Sequence, residues 1–76
     1  MELEAAQVIA AAVCMGVGSM GSALGEGYIG GKAIEAIGRN PSSASKIIPN
    51  MIVAMAITES TAIYSLLVTF LILFTF

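Results

Sequence analysis

The feature that most constrains this chain is a pair of long apolar runs separated by a short charged segment. Ala5 to Gly25 carries no charge, and Ile47 to Phe76 is interrupted only by Glu59. Each run exceeds the roughly 20 residues that cross a hydrocarbon core of about 30 Å. Between them lie all three basic residues, Lys32, Arg39 and Lys46, around a centre rich in turn formers, Gly38 to Ser45. In lipid every backbone polar group needs an internal partner, so the pattern predicts an all-α membrane fold, a two-helix transmembrane hairpin. The expected elements are helix one over about 3–38, a polar loop over about 39–45 and helix two over about 46–76, one unit across 1–76.

Composition excludes the main alternatives. The chain has 76 residues, is 58% hydrophobic and 11% charged, and has mean hydropathy +0.96. Soluble domains average about 25% charged residues, and a globule this small cannot cover so much apolar surface. The net charge of −2 suggests no nucleic-acid partner. With no His and one Cys, Cys/His zinc sites, disulfides within the chain and imidazole triads are all ruled out, so a self-contained enzyme is not expected. Cys14 lies in an apolar run and reads as a small packing residue. A signal peptide fits the first run poorly, because Met1-Glu2-Leu3-Glu4 is acidic where positive charge is needed. The basic residues place the loop in the cytoplasm and both termini outside.

The loop carries its own expectations. Gly38 suits a helix C-terminus, and Pro41 cannot continue that helix. Ser42, Ser43 and Ser45 are candidate N-caps for helix two. With Ser45 as cap, Pro49 falls in the first turn at little cost; with Ser42 it should bend the helix.

Helix one is crowded with small residues, whereas helix two is bulky toward its end, Leu66 to Phe76. Glycine costs about 1 kcal/mol against alanine in a soluble helix. In lipid it is accepted where backbones approach closely, although glycine is also simply commoner in membrane helices. Gly21, Ala23, Gly25, Gly27 and Gly31 fit small-xxx-small spacing, which points to a homo-oligomer packed through helix one. Gly25-Glu26-Gly27-Tyr28-Ile29-Gly30 satisfies G-x-G-x-x-G, but the dinucleotide fingerprint needs a preceding strand, so here it is a decoy.

Two carboxylates carry the chemistry. Glu26 stands as many residues before Arg39 as Glu59 stands after Lys46. In a folded hairpin both then lie about 20 Å from the loop ends, at one level. An ionised carboxylate in lipid costs about 3 to more than 10 kcal/mol and usually marks an ion path. Two together cannot comfortably both ionise. Both are protonated, or one proton is shared, or a cation sits on one while the other keeps its proton. No Lys or Arg is near Glu59 in sequence, so the neutralising charge must be one that comes and goes. Thr58, Ser60, Thr61 and Tyr64 surround Glu59 with hydroxyls. Hard cations take such oxygen ligands, a proton site needs only a carboxyl in an apolar pocket, and Ser and Thr also commonly bond preceding helix carbonyls.

At this point the residues resemble a known family. Gly25-Glu26-Gly27-Tyr28, Gly31-Lys32-Ala33-Ile34-Glu35, Arg39-Asn40-Pro41 and Thr58 to Leu66 are similar to the c-subunit of the F-type ATP synthase, along essentially the whole chain. The resemblance implies a homo-oligomeric ring of hairpins in a bacterial inner membrane, helix one inside and helix two outside. It implies that Arg39-Asn40-Pro41, in place of the family's Arg-Gln-Pro, docks the loop on the central stalk. Ions pass on and off the ring carboxylate through half-channels of the neighbouring a-subunit, and rotation drives ATP synthesis elsewhere. By the same resemblance Glu59 is the ion-carrying carboxylate, Ser60 the hydroxyl typical of sodium-type members, and Tyr64 the phenol that steadies the carboxylate. Ile57 and Thr61 occupy positions whose carbonyls contribute to sodium sites, the latter through water. Glu26 replaces the commoner Gln and fits a variant that binds Na+ with one proton retained on a carboxyl pair. The family's glycine stripe is incomplete, reading Ser19-x-Gly21-x-Ala23-x-Gly25-x-Gly27. The expected cargo is therefore Na+, with H+ as the alternative, and a small membrane scaffold or pore former is the reading from another class.

Overall fold

A computed structural model describes residues 2–75 as two antiparallel helices, α1 (Leu3–Arg39) and α2 (Ala44–Phe74), joined by a single 3₁₀ turn, Pro41–Ser43. Met1 and Phe76, the latter the expected end of helix two, lie outside the described residues. At 1.5 Å per residue α1 is about 56 Å long, which accounts for the long axis of a hairpin measuring 58 × 17 × 8 Å. Both helices are long and apolar enough to cross a membrane.

The turn differs from expectation in two places. Gly38 does not end α1; it stays helical, and no described glycine has a positive φ. The stop falls at Asn40, whose φ of −146° and ψ of 85° leave the helix, because the residue before a proline is pushed from αR toward extended backbone. Asn40 then ties the turn together. Its N–H donates to the Ala36 carbonyl (3.1 Å), its carbonyl accepts from the Ser43 N–H (2.9 Å) and hydroxyl (2.6 Å), and its Oδ1 accepts from the Ser42 hydroxyl (2.7 Å). Neither Ser42 nor Ser45 is the cap of α2. Ser43 occupies the cap position but makes no side-chain cap bond, its hydroxyl being turned back to Asn40. Since α2 starts at Ala44, Pro49 lies inside it rather than in its first turn, leaving the Ser45 carbonyl without its N–H donor.

The hairpin has almost no core of its own. The buried residues among those described are all small: Ala11, Ser22 and Ala33 on α1, Ala62 and Thr69 on α2. Large apolar side chains point outward, as with Leu24, Ile57 and Phe74. That surface is unfit for water and suited to lipid or to other copies of the chain. What joins the helices is close approach plus a ladder of side-chain bonds. Gln7 Nε2 donates to the Ile72 carbonyl (3.1 Å), Cys14 Sγ to the Ser65 carbonyl (3.5 Å) and Ser22 Oγ to the Thr58 carbonyl (3.0 Å). The acceptors recur every seventh residue, two helical turns, so all lie on one face. Cys14 thus sits in the seam as a small residue with a weak donor.

Glycines set how close the helices come. A Cβ built on Gly18 would stand 2.7 Å from Ser65 Cβ, and one on Gly25 would stand 2.9 Å from Thr58 Cγ2. Gly21, Gly27 and Gly31 have nothing within 4 Å, and Ala23 is exposed. Of the five predicted packing residues, only Gly25 therefore packs against α2; the others leave a small-residue surface on the outside of the hairpin. The G-x-G-x-x-G segment lies wholly inside α1.

Candidate functional site: a carboxyl pair beside the helix seam

Register and side-chain direction bring Glu26 and Glu59 together. The Ser22–Thr58 bond and the close approaches of Gly18 to Ser65 and of Gly25 to Thr58 set the alignment of the two helices, and along it the Cα atoms of Glu26 and Glu59 are offset by about 3–7 Å. Glu26 is nearer the loop. Side chains on a helix lean toward its N-terminus, so in antiparallel helices Glu26 leans away from the loop and Glu59 toward it. The two side chains lean into the gap, which brings their carboxyls within electrostatic reach of one another. An ionised carboxylate only accepts, so a hydrogen bond between the two would require a proton on one partner. Among the described residues no third His, Cys, Asp or Glu joins them as a metal-binding cluster.

The other predicted ligands lie elsewhere on α2. Ile57, Thr61 and Tyr64, at i, i+4 and i+7, lie along one stripe of α2, and all three side chains are exposed. Ser60, half-buried, donates to the Ile57 carbonyl (2.5 Å). A single hairpin thus brings together Glu26 with Glu59, and Ser60 with Ile57, but leaves Thr61 and Tyr64 apart from the pair. Thr58, one of the four neighbouring hydroxyls, is occupied: its Oγ1 donates to the Ala54 carbonyl (3.0 Å) while its own carbonyl receives Ser22.

Ser22 is the residue beside the site whose contact sequence reasoning missed. The available signal was its position one turn before Glu26, on the same face of α1. At the loop end, Arg39, Asn40 and Pro41 are exposed. Glu35 lies between two cations there, 3.1 Å from Arg39 Nη1 and 3.9 Å from Lys32 Nζ. Lys32 Nζ also stands 5.7 Å from the centre of the Tyr28 ring.

Comparison with known proteins matches this arrangement to one family. A family profile described as the ATP synthase c-subunit matches residues 9–72, a span that includes the carboxyl pair and the turn. The chain is similar to the ATP synthase c-subunit of Petrotoga mobilis, 43% identical over 68 residues, covering 90% of this chain and 71% of the relative. It is also similar to the c-subunit of Dehalococcoides mccartyi, 39% identical over 74 residues and 97% of each chain. The c-subunit of Thermotoga maritima is 45% identical over 65 residues, 86% of this chain and 76% of the relative.

Proposed function

The chain belongs to the ATP synthase c-subunit family, and from that premise we propose that it is a sodium-carrying member with Glu59 as the ion-carrying group. Its role is that of the family: a non-catalytic membrane component of the rotor that translocates ions. The observation that carries the finer reading is the approach of Glu26 and Glu59 across the seam, with a hydroxyl-bearing residue, Ser60, directly after Glu59. A buried carboxylate must be neutralised in lipid, and no Lys or Arg is paired with Glu59 among the described residues.

The chemistry follows from these groups. One proton stays on the pair and holds Glu26 and Glu59 together, leaving a single negative charge. Na+, the cargo, is drawn to that charge and takes oxygen ligands. Glu59, Ser60 and the Ile57 carbonyl supply them from one helix, with Glu26 behind. The Ser60 hydroxyl can keep its bond to the Ile57 carbonyl, because both oxygens retain a lone pair for Na+. Thr61 and Tyr64 serve the site through the interface with a neighbouring copy, to which their exposed side chains are open. Loaded, the site is neutral and can pass through lipid; emptied at the a-subunit, it is charged and held in a polar channel.

The remaining assignments complete the proposal. Identical hairpins form the ring, with the exposed small-residue surface of α1 inward and α2 outward toward lipid and the a-subunit. Arg39-Asn40-Pro41 meets the central stalk on the cytoplasmic side of a bacterial inner membrane, and both termini face the other side.

A carbodiimide, which attacks protonated carboxyls, tests the site. Glu59 is expected to be labelled in the assembled complex, and Na+ at neutral pH to protect it. Labelling that persists at high Na+ favours the proton-coupled rotor, for which a carboxyl pair sharing one proton is already sufficient. Full ATP-driven ion transport in a Glu59→Gln ring would discard both in favour of a scaffold.

A further inference from the structure

We infer that Ser22 is a positioning residue for ion binding: its bond to the Thr58 carbonyl sets the register at which Glu26 and Glu59 meet. The inference rests on the carboxyl-pair reading above and adds the residue that holds the pair.

Three observations support it. First, Ser22 is the most buried of the residues in the helix seam, at 3% exposure, and its hydroxyl crosses to the other helix. The bonded hydroxyls of Ser19, Thr58, Ser60 and Thr69 all return to carbonyls of their own helix. That is the ordinary habit of Ser and Thr in a membrane helix, and Ser22 departs from it. Second, the crossing is made possible by a notch. Gly18 and Gly25 flank Ser22 on the seam face, and each faces an α2 side chain too close to admit a Cβ without adjustment. Third, the acceptor is the peptide carbonyl between Thr58 and Glu59, so the bond grips α2 at the ion-carrying residue itself.

The geometry makes register matter. The two Glu Cα atoms are offset by about 3–7 Å and the side chains lean toward each other across the gap. A slip of one residue along the seam, about 1.5 Å, exceeds the tolerance of a hydrogen bond, whose useful range spans about half an ångström. Gln7 and Cys14 hold the same register, but farther from the pair. Loss of Ser22 therefore leaves the hairpin assembled while loosening the pair. Ser22 touches neither Na+ nor proton; it acts through Thr58 and Glu59.

The test uses rings isolated from the assembled ATP synthase, wild type against Ser22→Ala, Ser22→Cys and the control Ser19→Ala. Two quantities are read: the Na+ concentration that halves carbodiimide labelling of Glu59, and the temperature at which the ring dissociates. Ser22→Ala is expected to need about tenfold more Na+ at an almost unchanged dissociation temperature, since a single lost interhelical bond is a small term in membranes. A purely structural role would move the temperature instead. Ser22→Cys keeps a weak donor of the kind Cys14 already offers to Ser65, and two- to threefold more Na+ is expected. Ser19→Ala should match wild type. Half-protection at the wild-type concentration in Ser22→Ala overturns the inference; if that variant yields no rings, the same result in Ser22→Cys overturns it. If wild-type rings gain no protection from Na+, the sodium reading fails. The labelling rate of Glu59 then decides on Ser22, with a change of threefold or more in Ser22→Ala expected and an unchanged rate overturning it.

Discussion

Replacing Gly18 by alanine tests the hairpin seam directly. The new Cβ would stand 2.7 Å from Ser65 Cβ, an atom anchored to the α2 backbone. Carbon atoms rest at about 3.5–4.0 Å, so the helices must part by about 1 Å at that level. Ser22 lies one turn away, and its 3.0 Å bond to Thr58 would stretch to about 4 Å, beyond hydrogen bonding. Overpacking costs about 1–3 kcal/mol and the lost interhelical bond about 0.6 kcal/mol. Alanine returns about 1 kcal/mol in helix propensity. The net is a destabilisation of about 0.5–2.5 kcal/mol for Gly18→Ala. Gly27→Ala supplies the contrast, because a Cβ there meets nothing within 4 Å of the hairpin, so only the propensity gain of about 1 kcal/mol remains. The free energy of separating α1 from α2 in mixed micelles, followed by an interhelical fluorescence pair, should place the two variants about 1.5–3.5 kcal/mol apart. Equal stability of Gly18→Ala and Gly27→Ala would refute the seam.

Other outcomes follow from the same geometry. Gly27→Ala and Gly31→Ala should leave the hairpin intact yet lower the yield of assembled rings, read by native mass spectrometry, because that small-residue surface is open in the single chain. Ser60→Ala should raise the Na+ needed to protect Glu59 about tenfold without abolishing labelling, since one hydroxyl ligand is removed and the carboxyl pair stays; an unchanged Na+ requirement would exclude Ser60 from the site. Glu35→Gln breaks contacts to Lys32 and Arg39 on side chains that are more than half exposed, so thermal unfolding should register less than about 1 kcal/mol. A larger loss would mean that the loop-end charges are coupled to something beyond solvent. Asn40→Ala removes the acceptor of the Ser42 hydroxyl; amide exchange at Ser42 and Ser43 should accelerate severalfold, while the centres of both helices remain protected.

Much of the molecule is legible from residue order. Two apolar runs long enough to span lipid, with every cation between them, leave the backbone no solution but paired helices. Lipid also penalises lone charge so heavily that an acid at the end of the first run and another inside the second point to the proposed ion path. Other features turned on competition between local signals in the turn or on packing against the second helix. Gly38 looked like a terminator, yet the tendency of Pro41 to extend its predecessor overrode it one turn position later. Equal spacing suggested level carboxylates, whereas packing put their Cα atoms out of step and side-chain lean closed the difference. Two of the three serine candidates for capping, Ser42 and Ser43, were claimed by Asn40.

Residue order by itself thus determined the hairpin, its polar turn and the identity of the acidic pair, because those depend on solvation of one segment at a time. The tertiary structure decided the register and the notch at Gly18, Ser22 and Gly25. Those depend on which atoms of α2 come within reach of α1, a relation between distant residues that no periodicity within either run encodes.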